Sequence, residues 1–415
     1  MKRITSYPKG HWSLAVDIPY SMGVKQNELV FLCGQADMKG KGTVCHSSDL
    51  LMQTDAAIEH IRHLFLDLGS HIEKLVKLTV FYVDRGDVDQ AKYKSYIAES
   101  LKTQNAPVVA MVPIPHFFYP DMMVEIDAVG IDADAPRHYL SNAKYGPGTE
   151  GLSQALRCGE YIFLGGTSAL EANGSISSVG DSIAQTRTTL QRIESILNEF
   201  GADRRDLVKL NNWFVNDGTA GDWALGGKVR TGFFPEPGPV ATGHPLHTLG
   251  VDGLMFSSDC WAMLGESGER LEKQHVWPKG HWDWPIHLPF KHGLKCRDVI
   301  FLGGQVSLDE NANVVHPHDM VKQTHVSMEN VGKVLAEFGA GYSDILKLNT
   351  WYKGADSAEG QASALHQNVQ VRSSYFQSPG PASTGIPLNY LCFENMLNET
   401  EVIAWLESDS GLMVN

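Results

Sequence analysis

Phe31-Leu32-Cys33-Gly34-Gln35 returns as Phe163-Leu164-Gly165-Gly166-Thr167 and as Phe301-Leu302-Gly303-Gly304-Gln305, at offsets of 132 (163 − 31) and 270 (301 − 31) residues. The same offsets carry Gln53-Thr54 onto Gln185-Thr186 and Gln323-Thr324, Gly69 onto Gly201 and Gly339, and Lys77-Leu78 onto Lys209-Leu210 and Lys347-Leu348, with no gap. One unit is therefore written three times, and finding the repeat first prevents the chain from being read as one large domain. Copies of about 135 residues match the common domain size. The polar, charged seams Asp132 to Arg137 and Gly265 to Gln274 divide the chain into 1–136, 137–272 and 273–415.

Each copy opens with a β pattern such as Glu28 to Leu32, ended by a glycine. A helix follows, with its apolar stripe at Ile58, Ile61, Phe65 and Leu68, at Leu190, Ile193, Leu197 and Phe200, and at Met328, Val331, Leu335 and Phe338. Spacings of three and four place each set on one face, which must pack on a sheet. Gly69, Gly201 and Gly339 follow each stripe as left-handed stops. Strands are expected at Leu75 to Val83, Leu207 to Val215 and Ile345 to Tyr352, then a second helix, about Val88 to Leu101 in the first copy. The last strands are expected at Met122 to Ile131, Met255 to Leu264 and Glu399 to Leu406; in the third copy the offset has grown to 274 (387 − 113) by the proline loop. The order ββαβαββ is an α+β unit with helices on one face of a sheet.

The 415 residues carry a formal net charge of −14 and no Lys/Arg-rich run, so the electrostatic footprint of a nucleic-acid partner is missing. No apolar run approaches the length of a membrane span and Met1 to Leu14 lacks a signal-peptide core; a soluble, cytoplasmic protein with no membrane partner is expected. The six cysteines form no CxxC or metal-finger spacing, and Cys33, in an apolar run, reads as structural. His316-Pro317-His318 lacks a third ligand and precedes Asp319, a good N-cap, so it reads as a turn. Neither metal nor other cofactor is expected.

Four features in order, Gly34-Gln35 ending a strand, Gln53-Thr54 early in the first helix, Lys77-Leu78-Thr79-Val80-Phe81, and Val124-Glu125-Ile126-Asp127-Ala128, resemble the Rid family, the YjgF-type reactive-intermediate deaminases. The resemblance covers nearly the whole chain and implies a chorismate mutase-like fold, usually a homotrimer with ligand clefts between subunits. Three fused copies then make an intramolecular pseudo-trimer, a monomer with three unequal inter-domain clefts, its further self-association left open. The best-known members hydrolyse enamines and imines to a keto acid and ammonia, holding the substrate carboxylate with an arginine in a Pro-x-Arg-Ser-type loop. Here the loop reads Pro107-Val108-Val109, Pro239-Val240-Ala241 and Pro381-Ala382-Ser383, so the arginine is missing three times and a standard amino-acid-derived imine is disfavoured.

The family's pocket tyrosine matches Tyr20, with Leu152 and Phe290 as counterparts; its pocket glutamate matches Glu125 and Glu399, with Ser257 in the middle copy. A carboxyl between domains is a candidate general acid or base. Pro8-Lys9-Gly10-His11-Trp12 recurs as Pro278-Lys279-Gly280-His281-Trp282. This makes His11 and His281 candidate proton carriers, and Trp12 and Trp282 candidate walls. Arg230 and Arg372, read as helix-surface residues, are candidate anion binders in place of the loop arginine. Thr242-Gly243 and Thr384-Gly385 read as a glycine turn whose amides approach a ligand oxygen. The expected function is hydrolysis or deamination of a small C=N or C–N metabolite; the alternatives are a non-catalytic metabolite- or protein-binding homologue and a chorismatase-like hydrolase.

Overall fold

A computed structural model describes residues 2–216, 220–355 and 357–407. In the first unit the strands Ile4–Ser6, Gly23–Gln26 and Leu29–Leu32 precede helix α1 (Leu50–Asp67), strand Leu75–Val83, helix α2 (Gln90–Leu101) and strands Val108–Ile114 and Val124–Ile131. The second unit repeats this with α3 (Ser182–Glu199) and α4 (Ala220–Phe233), the third with α5 (Met320–Ala336) and α6 (Ala358–Ser373). The ββαβαββ order is present, preceded by one short edge strand per unit: Ile4–Ser6, Arg137–Leu140 and Lys273–Val276. These strands escape sequence patterning because they are three or four residues long and half exposed.

In every unit the last strand runs antiparallel between the hairpin and the middle strand, and the penultimate strand adds parallel at the edge. Alternation along Leu29–Leu32 decides what each face meets. Leu29 and Phe31 enter a core shared by all three sheets, while Val30 and Leu32 enter the layer beneath the helices. The helices begin at Asp49, Asp181 and Asp319, whose carboxylates accept from the backbone amides of Met52, Ala184 and Lys322.

The shared core closes on the quoted motif. Phe31, Phe163 and Phe301 surround Trp261, with ring centroids 6.2, 4.6 and 5.8 Å from it. Around this centre runs a ring of buried ion pairs: Lys77 Nζ lies 2.8 Å from Asp259, Lys209 pairs with Glu401, and Lys347 Nζ lies 2.9 Å from Asp127. Each lysine reaches a carboxylate of another unit, first to second, second to third and third to first. Head-to-tail contacts of this kind close a ring of three. Backbone bonds repeat the pattern, as the amides of Ser21, Ser153 and Lys291 donate to the carbonyls of Pro381, Pro107 and Pro239 at 3.0, 3.0 and 3.3 Å. Among the described residues no helix is long and apolar enough to cross a membrane.

Candidate functional site

Each cleft takes its sheet wall from one unit and its helix wall from another. Between the first and third units lies a cavity of about 50 Å³, lined by Trp12, Tyr20, Gly34 and Glu125 on one side and by Arg372, Ser383 and Gly385 on the other. Glu125 sits on the last strand opposite Phe81, and its Oε2 is buried with no hydrogen bond. Burial, with the charge of Asp127 beside it, pushes the Glu125 carboxyl up to about 8 against the pull of Lys347. The group is thus mostly protonated at neutral pH.

The glycine of the repeated motif makes room for this carboxyl. A Cβ on Gly34 would overlap Glu125 Oε1 outright, and a Cβ on Gly304 would do the same to Glu399 Oε1. At Gly166, opposite Ser257, the nearest atom to such a Cβ is Ser257 Oγ at 3.5 Å. The motif glycine therefore matters sterically where a glutamate faces it.

Arg372, expected on a helix surface, is 1% exposed, and Arg230 is also buried. The reason is packing between units: the face of α6 that carries Arg372 is covered by the first unit. Its Nη1 donates to Ser383 Oγ at 2.9 Å, its Nε to Asn368 Oδ1 at 2.5 Å, and its guanidinium lies 5.5 Å from the Tyr20 ring centroid. Tyr352, which sequence reasoning missed, lies behind the cavity lining and carries a fully buried hydroxyl without a partner, its acidity weakened by burial and by the nearby Glu125. Its register with Tyr82 and Phe214 was visible, but not that its strand borders a cleft.

Between the second and third units the corresponding residues are Glu399 and Arg230, both near the Cys392 thiol. Burial and the Glu401 charge raise the Glu399 carboxyl to about 8, and burial lowers Arg230 to about 10. Phe290 packs there on Phe234 at 5.5 Å, and Cys392 donates its thiol to Gly243 O at 3.3 Å. Between the first and second units the corresponding positions are Ser257 and Ala98.

The histidines stand apart from the glutamates. His11 Nε2 is 3.0 Å from Gln35 Oε1 and its ring 4.8 Å from that of His60, while Trp12 rather than His11 lines the cavity. His281 Nε2 is 2.8 Å from Gln305 Oε1, which also accepts from Trp282 Nε1 at 3.3 Å. Burial pushes both imidazoles down to about 4, helped in His11 by neighbouring His60. The middle unit has Thr167 in place of that glutamine and no histidine arm, so the two features vary together.

Thr384-Gly385 forms no turn. It lies inside the strand Ala382–Pro387, as Thr242-Gly243 lies inside Val240–Leu246. Thr384 Oγ1 accepts from the Gly34 amide at 2.8 Å and from Lys347 at 2.7 Å, and donates to Asp127 at 3.2 Å. It ties two units together; the β-branched threonines and parallel pairing override the turn tendency of glycine. His316 and His318 fall in the loop before α5, which Asp319 caps, and no group of three metal-ligating side chains occurs among the described residues.

A RutC family protein of Pyrococcus abyssi is 27% identical over 29% of this chain and 87% of its own length. The 3-aminoacrylate deaminase RutC of Acinetobacter baylyi is 32% identical over 21% of this chain and 66% of its own. A crystal structure of a chorismatase superposes with a TM-score of 0.52 at 13% identity, covering 80% of this chain and 93% of that one, a likeness of fold. The Endoribonuclease L-PSP family model matches residues 12–131, 147–254 and 285–406. With three matches spread over most of its length, the chain belongs to that family, the RutC and Rid group to which its repeated motif pointed.

Proposed function

We propose that the protein hydrolyses a small carboxylate-bearing imine or enamine in the cleft between its first and third units, releasing ammonia. The observation that carries this reading is that Glu125, with its Oε2 buried and unpartnered, lines one cavity together with the buried Arg372 of another unit. The guanidinium binds the substrate carboxylate in place of the family's loop arginine. Glu125 gives its proton to the nitrogen of an imine, or to the β-carbon of an enamine, which leaves an iminium ion in either case; water adds to the iminium carbon, and the carboxylate takes the surplus proton from that water. Glu125 then protonates the amine, which leaves as ammonia while the hydroxyl returns its proton to the carboxylate and the carbonyl forms. A cavity of about 50 Å³ admits only the reacting end of a small molecule, which favours substrates of few carbons. That a deaminase of 3-aminoacrylate is among the relatives supports the same class.

Ammonia release from 3-aminoacrylate and other short imines, generated in place, tests the reading. Glu125→Gln is expected to lower kcat/KM on the order of 10²-fold. Turnover by the native chain no faster than by the Glu125→Gln/Glu399→Gln double variant would refute it, and binding without turnover would leave a metabolite-binding protein.

A further inference from the structure

The cleft between the first and second units lacks both members of the catalytic pair and yet holds a cavity of about 530 Å³, within the usual range of small-molecule sites. Ser257 stands where Glu125 and Glu399 stand, and Ala98 where Arg230 and Arg372 stand. These two replacements lie in different units: Ser257 lines the cavity, and Ala98, one turn beyond Ser95 on α2, lies against Gly151 of the second unit. Acid and anion anchor are therefore missing together from one place and present together in the other two. Proton transfer of the kind argued above has no donor in this cleft, while its depth remains.

What lines the cavity indicates what it would hold. Ser95 Oγ donates to Ala91 O at 3.1 Å, Thr167 Oγ1 to Gly165 O at 3.1 Å and Ser257 Oγ to Thr167 O at 3.2 Å. Gln90 Nε2 donates to Tyr82 Oη at 2.8 Å and to Leu249 O at 3.0 Å. A hydroxyl has one proton and two lone pairs, so groups that have given their protons to the protein offer a ligand mainly acceptors. Of the lining charges, Lys94 and Asp252 are opposite in sign, and Asp89 caps α2 and pairs with Lys92 at 3.0 Å.

We propose that this cleft binds an uncharged, hydroxyl-rich molecule of monosaccharide size and holds it without turnover. Such a ligand supplies O–H donors to those acceptors and oxygen atoms to the Lys94 ammonium, and brings no charge that would need a buried partner. The site shares no residue with the proposed reaction.

Saturation-transfer NMR with D-ribose as the probe, and D-gluconate as its charged counterpart, tests the proposal on the full chain. D-Ribose is expected to bind, to bind about tenfold more weakly to the Ser95→Ala/Ser257→Ala variant, and to remain chemically unchanged. Glu125→Gln is expected to leave that affinity as it is, so failure of the proposed reaction and failure of this site are told apart. Absence of D-ribose binding, equal affinity in the double variant, tighter binding of D-gluconate, or conversion of the sugar would each overturn it.

Discussion

At the scale of single residues, Gly34 and Gly166 are the same letter in the same motif with different work to do. A Cβ at Gly34 displaces the Glu125 carboxyl, whereas a Cβ at Gly166 meets nothing closer than 3.5 Å. Gly34→Ala is therefore expected to abolish most ammonia release, and Gly166→Ala to leave it within about twofold, since that side is ordinary van der Waals space; steady-state rates on the two variants compare them. The raised carboxyls carry a second expectation. Between the unfolded carboxyl's pKa of about 4.5 and the folded value of about 8, the folded state holds protons that the unfolded state has released. Stability thus falls as pH rises through that window and levels off above it. Thermal melts of Glu125→Gln/Glu399→Gln should match the native chain near pH 4.5 and exceed it increasingly up to pH 8, while native kcat/KM declines above about pH 8 as the donor ionises.

Helices and strands set which side chains share a cleft. The apolar stripes and left-handed glycines located α1, α3 and α5 from sequence because they depend on local spacing alone, and Asp319 was legible as a cap for the same reason. Arg372 was not legible as buried, since the part of α6 that carries it is covered by another unit. Thr384-Gly385 misled for a related reason: a glycine suggests a turn locally, but parallel pairing with Ile345–Tyr352 keeps it in a strand. If Arg372 anchors the substrate carboxylate, Arg372→Met should raise KM for an anionic substrate by about 10- to 100-fold with a smaller effect on kcat. Arg372→Lys should recover only part, because an ammonium lacks the guanidinium's two-pronged geometry. Equal KM in all three proteins would remove Arg372 from binding.

For the whole molecule, the ring of lysine–carboxylate pairs joins the units, and Lys347 also donates to Leu32 O at 2.6 Å and to Thr384. Lys347→Met leaves Asp127 buried without its counter-ion, and is expected to cost about 3–5 kcal/mol in chemical denaturation. Adding Asp127→Leu should return much of that loss if the penalty comes from the unpaired charge. Three units, the first helix of each, the element order and the unequal glutamates were legible in the sequence alone, because repeat register and side-chain periodicity are local and survive without coordinates. Which residues face one another across a cleft was decided only by tertiary structure. The glutamate and arginine of each pair lie in different copies, from 169 (399 − 230) to 247 (372 − 125) residues apart, and no periodicity links them. The same closure gave Phe31, Phe163 and Phe301 a shared centre on Trp261. The physical reason is that head-to-tail packing of three sheets brings together residues that are distant along the chain, and that packing is fixed by burial rather than by any local pattern.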